Sequence, residues 1–285
     1  LWNTYLMKSM NSKFVNICIV TFNRLEFTIQ SLPSIINTVD YKNAITVVDN
    51  NSIDGTVVYL KELYKKKQIQ NLFLLNENIG LARASNLAWK YVADAEYYIR
   101  IDNDIIMKKT NWLSNMIEVF ENAPEIGLLG YNLEPRTYPV EEIRGYKLRV
   151  KRVGNVGGGC IMIPKRTSDK LGYWCEEYGL YGEEDYDYNV RVGLSGLLNA
   201  YMEDEDACFH LPTGKAAAID VKTFEASDGI EENSHSEYRK WKDEQRRKIA
   251  GENGIVRANV KKYKSGEKPL RCESNISEKF FLMKY

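Results

Sequence analysis

Residues 15–24, VNICIVTFNR, join a short apolar run to a polar segment. The apolar part, residues 15–20, is rich in β-branched side chains and predicts a buried strand. Residues 21–24 are predicted to form a loop, and the pattern of residues 25–38 predicts a helix with a kink at Pro33. A buried strand, a polar loop and a helix in succession form the repeating unit of a parallel sheet.

The same unit recurs twice, and a fourth strand follows. Strands are predicted at residues 45–48, 72–75 and 97–101, and helices at residues 56–67 and 81–93. We therefore expect an α/β fold with a mostly parallel sheet, right-handed crossovers and helices on both faces. Ligands of such folds bind beyond the carboxyl ends of the strands. Those ends carry Thr21, Asp49, Asn78 and Asp102.

The second half of the chain is less regular. Helices are predicted at residues 111–122, 184–192 and 236–250, strands at 126–131, 156–163 and 207–210, and a loop or edge hairpin at 134–152. We expect residues 1–12 to be a disordered or tag-like N-terminus. Residues 13–214 are predicted to form the α/β domain, and residues 215–285 a mostly helical, basic extension.

Charge and composition narrow the class of protein. The 285 residues carry 39 Lys plus Arg and 39 Asp plus Glu, which does not favour a nucleic-acid partner. Residues 236–285 hold 14 basic against 7 acidic side chains, and this basic segment is either a solvated helix face or a peripheral contact with anionic lipid. The five cysteines are scattered along the chain, and the sequence shows neither an apolar run of ~18 residues nor a signal-peptide pattern. These features predict a cytoplasmic protein, either free or bound peripherally to the inner face of the membrane.

The strongest chemical motif is Asp102-Asn103-Asp104, directly after the predicted strand YYIRI. Carboxylate oxygens two residues apart suit a hard divalent cation, Mg²⁺ or Mn²⁺, which substrate phosphates bridge. The alternative is a turn with solvated acids. The three other polar loops at the same sheet edge favour the metal site.

Five segments together resemble glycosyltransferase family 2, whose members have the GT-A fold. They follow the family's order and spacing and span most of residues 15–210. The segments are VNICIVTFNR (residues 15–24), ITVVDNNSIDGT (45–56), NENIGLARASN (76–86), YYIRIDND (97–104) and LGYWCEEYGLYGEEDYDYNVR (171–191).

The resemblance implies a Rossmann-like nucleotide-binding sheet and an inverting transfer of sugar from a nucleotide-diphosphate donor. Asp49 corresponds to the family acid that contacts the base, so a UDP-sugar is favoured over dTDP- or GDP-sugars. Arg83 corresponds to a basic position near the diphosphate, and Gly80 permits close approach to the donor. The whole implied donor site comprises Thr21, Asn23, Asp49, Asn78, Gly80, Arg83, Asp102 and Asn103.

The resemblance also assigns the metal and the base. Asp104 and Asp102 would hold Mn²⁺ or Mg²⁺, with His210 as a further ligand whose alternative role is a packed strand-end residue. Asp185, in a pattern similar to the family's ED-x-D-x-x-x-R, would be the general base, flanked by Glu184. The alternative for both acids is an acidic helix start that complements the helix dipole.

The acceptor is expected to meet Gly158, Trp174 and Glu184. Gly158 lies in a glycine run similar to the family's small-residue stretch near the sugar, and Trp174 is either a stacking platform or ordinary core. A glycan, a lipid-linked acceptor and a protein remain open.

Three rival functions are weaker. A sugar nucleotidyltransferase should have a glycine-rich first loop, and residues 21–24 contain no glycine. A non-catalytic, transferase-like binding subunit would not need intact acids at Asp102, Asp104 and Asp185. A plain α/β interaction domain leaves the polar strand ends unexplained.

Overall fold

A computed structural model describes residues 13–131, 139–151, 156–204, 206–211 and 254–285, together with 240–241, 243–245 and 247. The strands are β1 Val15–Thr21, β2 Asn43–Asp49, β3 Asn71–Leu74, β4 Tyr97–Ile101, β5 Ile105–Met107, β6 Ile126–Tyr131, β7 Val140–Ile143, β8 Tyr146–Lys151, β9 Cys160–Pro164, β10 Leu198–Met202 and β11 Cys208–His210. The helices are α1 Leu25–Thr38, α2 Thr56–Lys65, α3 Leu81–Tyr91, α4 Trp112–Asn122, α5 Lys165–Leu171, α6 Glu184–Leu194 and α7 Ile255–Ser265.

Within the described residues, nine strands form one mixed sheet in the order β3-β2-β1-β4-β9-β6-β10-β8-β7. Strands β1 to β4 are mutually parallel where they pair, whereas β9 runs antiparallel to both β4 and β6. β5 and β11 form a separate antiparallel pair. The predicted parallel first half is confirmed, and all its strands end at the same edge.

Both faces of the sheet are buried, as predicted. Alternate residues of β1, such as Ile17 and Ile19, pack with α1, α2 and α4 on one face. Cys18, between them, packs on the other face with α3 and α6. Because side chains alternate between the two faces of a strand, β1 contributes to the hydrophobic cores on both sides of the sheet.

Several sequence predictions change in detail. Of residues 134–152, predicted as a loop or an edge hairpin, 140–151 form an edge hairpin of β7 and β8, with Arg144 and Gly145 both at positive φ in the turn. Residues 134–138 and 152 lie outside the described residues. The strand predicted from residue 156 is wrong at its start, because residues 157–159 precede β9 as a turn. α1 continues through Pro33. β5, β10, α5 and α7 were not predicted.

The C-terminal residues 254–285 pack on the α/β domain. The Tyr285 amide donates to the Leu72 carbonyl over 2.8 Å, and Lys284 bridges to Phe73 on the edge strand β3. Of the helix predicted at residues 236–250, the described residues between 240 and 247 are helical, and the remainder lies outside the described residues. The predicted N-terminus, residues 1–12, also lies outside them. No helix in the described part of the chain is long and apolar enough to cross a bilayer.

Candidate active site

Asp49 joins the first two polar loops from inside. Its carboxylate accepts hydrogen bonds from the Thr21 hydroxyl over 2.8 Å and from the amide and hydroxyl of Ser52 over 2.9 and 2.6 Å. Asp49 and Thr21 are fully buried. In this structure both therefore hold the loops together and do not line the cleft described below.

Asn23 continues this connection. Its amide N–H donates to the Ser52 hydroxyl over 2.7 Å, and its side-chain oxygen accepts from the Ile53 amide over 2.8 Å. The next residue, Arg24, has φ 63°, in the left-handed region. Asn23 thus shapes the loop, and the turn that follows directs the Arg24 side chain to Asp104.

Asp104 is paired with two basic side chains at this sheet edge. Its Oδ2 atom lies 2.9 Å from Nη1 of Arg24 and 3.3 Å from Nε2 of His210. Burial by itself would raise the pKa of Asp104, but the His210 hydrogen bond and the Arg24 charge outweigh it and lower the pKa to about 2. The same hydrogen bond raises the pKa of His210. Asp104 is therefore a stable anion.

A cleft opens above this acid. It contains the predicted Asn78, Asp102, Asn103, Asp104 and His210, and it is completed by Val20, Phe22, Arg24, Asn50, Leu81, Leu180, Tyr181 and Trp241. The Phe22 and Tyr181 rings lie 5.8 and 6.0 Å from that of Trp241. The aromatic residues and Arg24 were not predicted, because nothing in their local sequence indicates that they meet.

Asp185 stands at the start of α6. Its Oδ2 accepts from the Gly158 amide over 2.9 Å, and its Oδ1 accepts from the Tyr186 amide over 2.8 Å. The residue is half-buried. Two main-chain donors therefore fix the direction of the carboxylate of this half-buried residue.

The turn at residues 157–159 connects the two groups of acids. The Gly158 amide binds Asp185, and the Gly159 carbonyl accepts from the Asp102 amide over 2.9 Å. One three-residue turn thus joins the Asp102-Asn103-Asp104 motif to the acid at the start of α6.

Sequence comparison identifies the family. The profile of Glycosyl transferase family 2 matches residues 16–158, half of the chain. The chain belongs to this family. A curated protein of Haemophilus influenzae, described as an uncharacterized glycosyltransferase, is 25% identical over 124 residues, which are 44% of this chain and 38% of that protein.

Solved structures show that this family 2 chain has the GT-A fold. A Pyrobaculum calidifontis mannosyltransferase in complex with GDP-Man and Mn²⁺ superposes with a TM-score of 0.55 at 19% identity, covering 72% of this chain and 59% of that one. GalNAc-T7 with UDP, GalNAc and Mn²⁺ superposes with a TM-score of 0.57 at 15% identity, covering 70% of this chain and 44% of that one. S. aureus TarS 1-349 in complex with UDP-GlcNAc superposes with a TM-score of 0.53 at 17% identity, covering 72% of this chain and 60% of that one. The family 2 chain thus spans less than two thirds of each of these relatives.

The acids of the cleft fit a divalent cation. The Oδ1 atom of Asp104 is buried and accepts no hydrogen bond from any described residue. Asp104, Asp102 and His210 all line this cleft and offer oxygen and nitrogen atoms, the ligand types that Mn²⁺ or Mg²⁺ accepts. Arg24 lies on the other oxygen, so a bound cation would share Asp104 with it.

Glu184 departs from its predicted role. Its side chain is 4% exposed and points inward, where Oε1 forms a 2.9 Å ion pair with Arg100. Burial raises the pKa of Glu184 to about 7 against the opposing charge of Arg100, and Asp185 adds to the rise. A carboxylate buried against Arg100 does not favour the predicted contact of Glu184 with the acceptor.

Trp174 also departs from its predicted role. It is fully buried, its ring lies 4.5 Å from the Arg100 guanidinium, and Trp89 and Tyr188 pack against it. No ring face is open to a sugar. The alternative of ordinary core, which the sequence left open, is the correct one.

Two predicted donor residues lie away from the cleft. Arg83 is 4.0 Å from the Glu176 carboxylate and lines a separate groove with Cys175, Lys268 and Cys272. Gly80, at φ 91°, has no room for a Cβ, which would lie 2.5 Å from the Gly179 carbonyl oxygen. Its close approach is to the chain itself rather than to a donor.

The two remaining residues of the ED-x-D-x-x-x-R pattern are structural. Asp187 and Arg191 are fully buried and form a 2.6 Å ion pair. Asp187 also accepts from the hydroxyls of Tyr178 and Tyr263 over 2.7 and 2.9 Å. Since Tyr263 belongs to α7, this pair fastens the C-terminal segment to α6.

Proposed function

We propose that this family 2 protein is a metal-dependent, inverting glycosyltransferase that takes its sugar from a nucleotide-diphosphate donor. The observation that supports the proposal is the turn at residues 157–159, which is hydrogen bonded to the half-buried Asp185 and to Asp102, two residues before the buried Asp104. Oδ1 of Asp104 accepts no hydrogen bond from the described residues. A single displacement needs these two sites side by side, one for the leaving diphosphate and one for the incoming hydroxyl.

Asp185 is proposed as the general base. The acceptor oxygen forms a bond to the anomeric carbon while its proton moves to the Asp185 carboxylate, and the bond from that carbon to the diphosphate oxygen breaks. The main-chain amides of Gly158 and Tyr186 hold the carboxylate in one direction. An α-linked donor then gives a β product, and a β-linked donor gives an α product.

Asp104, Asp102 and His210 are proposed to hold Mn²⁺ or Mg²⁺, which supplies positive charge for the departing diphosphate. Arg24 replaces Arg83 as the basic residue nearest this site, because its guanidinium lies in the cleft. Asn78 and Asn103 line the same cleft and are proposed to contact the donor. The three aromatic rings at the mouth offer a surface for the nucleobase.

UDP is still proposed as the carrier, with dTDP and GDP as alternatives. The Asp49 argument for uracil is weaker, because this carboxylate already accepts three hydrogen bonds from Thr21 and Ser52. The solved relatives were crystallised with GDP-Man, UDP and UDP-GlcNAc, and so support a nucleotide donor without selecting the base. A glycan, lipid-linked or protein acceptor is proposed, and membrane contact through the basic C-terminal region remains part of that proposal.

A thermal-shift screen of UDP, dTDP and GDP, each with and without Mn²⁺, tests the donor site. Binding at 100 times the Kd stabilises a protein by about 2.7 kcal/mol, so the correct nucleotide should raise Tm. Asp104→Asn should remove the Mn²⁺-dependent part of the shift. The matched control is Asp204→Asn, because Asp204 pairs with Lys109 outside the cleft.

The base is tested separately from the donor site. Asp185→Asn should keep the nucleotide shift and lose sugar transfer by ~100-fold or more. Normal transfer by this variant would disprove the base assignment. A non-catalytic binding subunit would instead show the nucleotide shift and no donor turnover in the unmodified protein.

A further inference from the structure

Arg100 is a buried cation in the middle of the main sheet. It lies on β4 with 1% of its surface exposed, two residues before Asp102. Burying a guanidinium costs several kcal/mol unless its charge and N–H groups find partners. The groups that contact the Arg100 guanidinium therefore indicate what the residue holds in place.

The guanidinium contacts three different parts of the site. Nη1 forms the 2.9 Å ion pair with Glu184, and Nη2 donates to the Gly158 carbonyl over 3.4 Å. The plane of the group packs against the Trp174 ring at 4.5 Å. Arg100 thus links the first turn of α6 to the turn at residues 157–159, with Trp174 fixing its orientation.

This arrangement reaches Asp185 by two routes. The Gly158 peptide receives Arg100 on its carbonyl side and donates its own N–H to Oδ2 of Asp185. Glu184, the other partner, is the residue directly before Asp185 in the chain. A change at Arg100 is therefore transmitted to Asp185 through the turn and through the helix start.

We infer that Arg100 is a positioning residue: from inside the sheet it holds the turn at residues 157–159 and the start of α6, and so sets the direction of the Asp185 carboxylate. The inference rests on the proposed function, in which Asp185 is the base. Arg100 itself touches neither donor nor acceptor. A planar guanidinium contacts both partners at once, whereas a lysine ammonium is a single point charge.

A purely electrostatic alternative makes a different prediction. If Arg100 only neutralises Glu184, then removing both charges together should restore a normal site. The double variant Arg100→Met/Glu184→Gln does this, since it leaves no unpaired buried charge. It still lacks the contact with the Gly158 carbonyl, so under our inference the base stays misplaced.

The experiment measures release of nucleoside diphosphate from UDP-GlcNAc with Mn²⁺ and water as acceptor, or from GDP-Man if the screen selects guanine. We expect kcat of the double variant to fall about 100-fold, as misplacement by ~1 Å does, with donor KM within about threefold. The nucleotide-dependent thermal shift should persist. Arg100→Lys, which keeps the ion pair, should regain about tenfold of the lost kcat.

Arg191→Met is the matched control, because Arg191 is an equally buried partner of an acid on the same helix with no contact to Gly158 or Asp185. It should lower Tm without the selective fall in kcat. Three outcomes would each overturn the inference. The double variant could keep the parental kcat, it could lose the nucleotide-dependent thermal shift together with kcat, or Arg100→Lys could be no faster than the double variant. If the double variant keeps the parental kcat and Asp185→Asn is inactive, the inference about Arg100 fails, but the proposed function is still supported.

Discussion

Arg24 donates from Nη1 to Oδ2 of Asp104 over 2.9 Å, so the acid proposed to hold the metal already has a cation on one side. His210 approaches the same oxygen at 3.3 Å, whereas the other oxygen, Oδ1, accepts no hydrogen bond within the described residues. A divalent ion would thus add a second cation to a shared carboxylate. Like charges at this separation repel, and a diphosphate between them would relieve the repulsion.

Arg24→Gln should therefore strengthen Mn²⁺ binding in the absence of nucleotide. We expect a gain of about 3- to 10-fold in affinity, since a partly exposed charge interaction of about 1 kcal/mol is removed. Isothermal titration calorimetry with Mn²⁺ measures it. The control is Arg144→Gln, because Arg144 lies in the turn of the edge hairpin and forms an exposed ion pair with Glu125. Weaker Mn²⁺ binding by Arg24→Gln would show that the arginine supports the metal site instead of competing with it.

Gly158→Ala should lower kcat much more than Gly157→Ala. A Cβ at Gly158 would collide with the Arg100 guanidinium and lie 3.0 Å from Oδ2 of Asp185, whereas a Cβ at Gly157 meets nothing nearer than the Tyr201 hydroxyl at 3.7 Å. We expect a fall of about 100-fold for the first variant and less than about threefold for the second. Steady-state donor turnover measures both. Equal effects would mean that the turn as a whole, and not its contact with Asp185, matters.

The sequence was sufficient to predict the first half of the fold because its signal is local. The runs at β1, β2 and β4 are apolar and β-branched, and each ends in a polar loop, so both the strands and their common edge follow from periodicity. The short strand β5 and the partly polar β10 (LNAYM) lack such a pattern. They are strands because neighbouring strands supply their hydrogen bonds.

The directions of the side chains in the site could not be predicted from the sequence. Glu184 and Asp185 are adjacent acids of one motif, yet one points to Arg100 and the other to Gly158. Successive helix residues are rotated by ~100°, so only the position of α6 on the sheet decides which acid is buried. Arg24 is similar, because the left-handed turn that directs it to Asp104 depends on the hydrogen bonds between the first two loops.

Glu184→Gln should change how stability depends on pH. The folded-state pKa of Glu184 is raised from 4.5 to about 7, chiefly by burial, so the folded protein binds the proton more tightly than the unfolded chain. Its contribution to stability is therefore complete below pH ~4.5 and is lost as pH rises through about 7, with a slope of at most about 1.4 kcal/mol per pH unit. The stability of the glutamine variant minus that of the parent should therefore rise as pH increases from 5 to 8, on top of a pH-independent cost of removing the partner of Arg100. Urea unfolding at several pH values measures this, and parallel curves for the two proteins would contradict it.

Trp241→Ala should weaken nucleotide binding while leaving Mn²⁺ binding by the apoprotein unchanged. Trp241 lies far along the chain from Phe22, yet their rings are 5.8 Å apart in the lining of the cleft, and the Tyr181 ring lies 6.0 Å from that of Trp241. Loss of an aromatic contact worth about 0.5–1.5 kcal/mol predicts a roughly 2- to 12-fold higher Kd for UDP with Mn²⁺. Calorimetry of UDP binding measures it, with Leu282→Ala as the control because that side chain is 87% exposed on the C-terminal segment. A lower Kd for Trp241→Ala would show that the indole covers the cleft instead of lining it for a base.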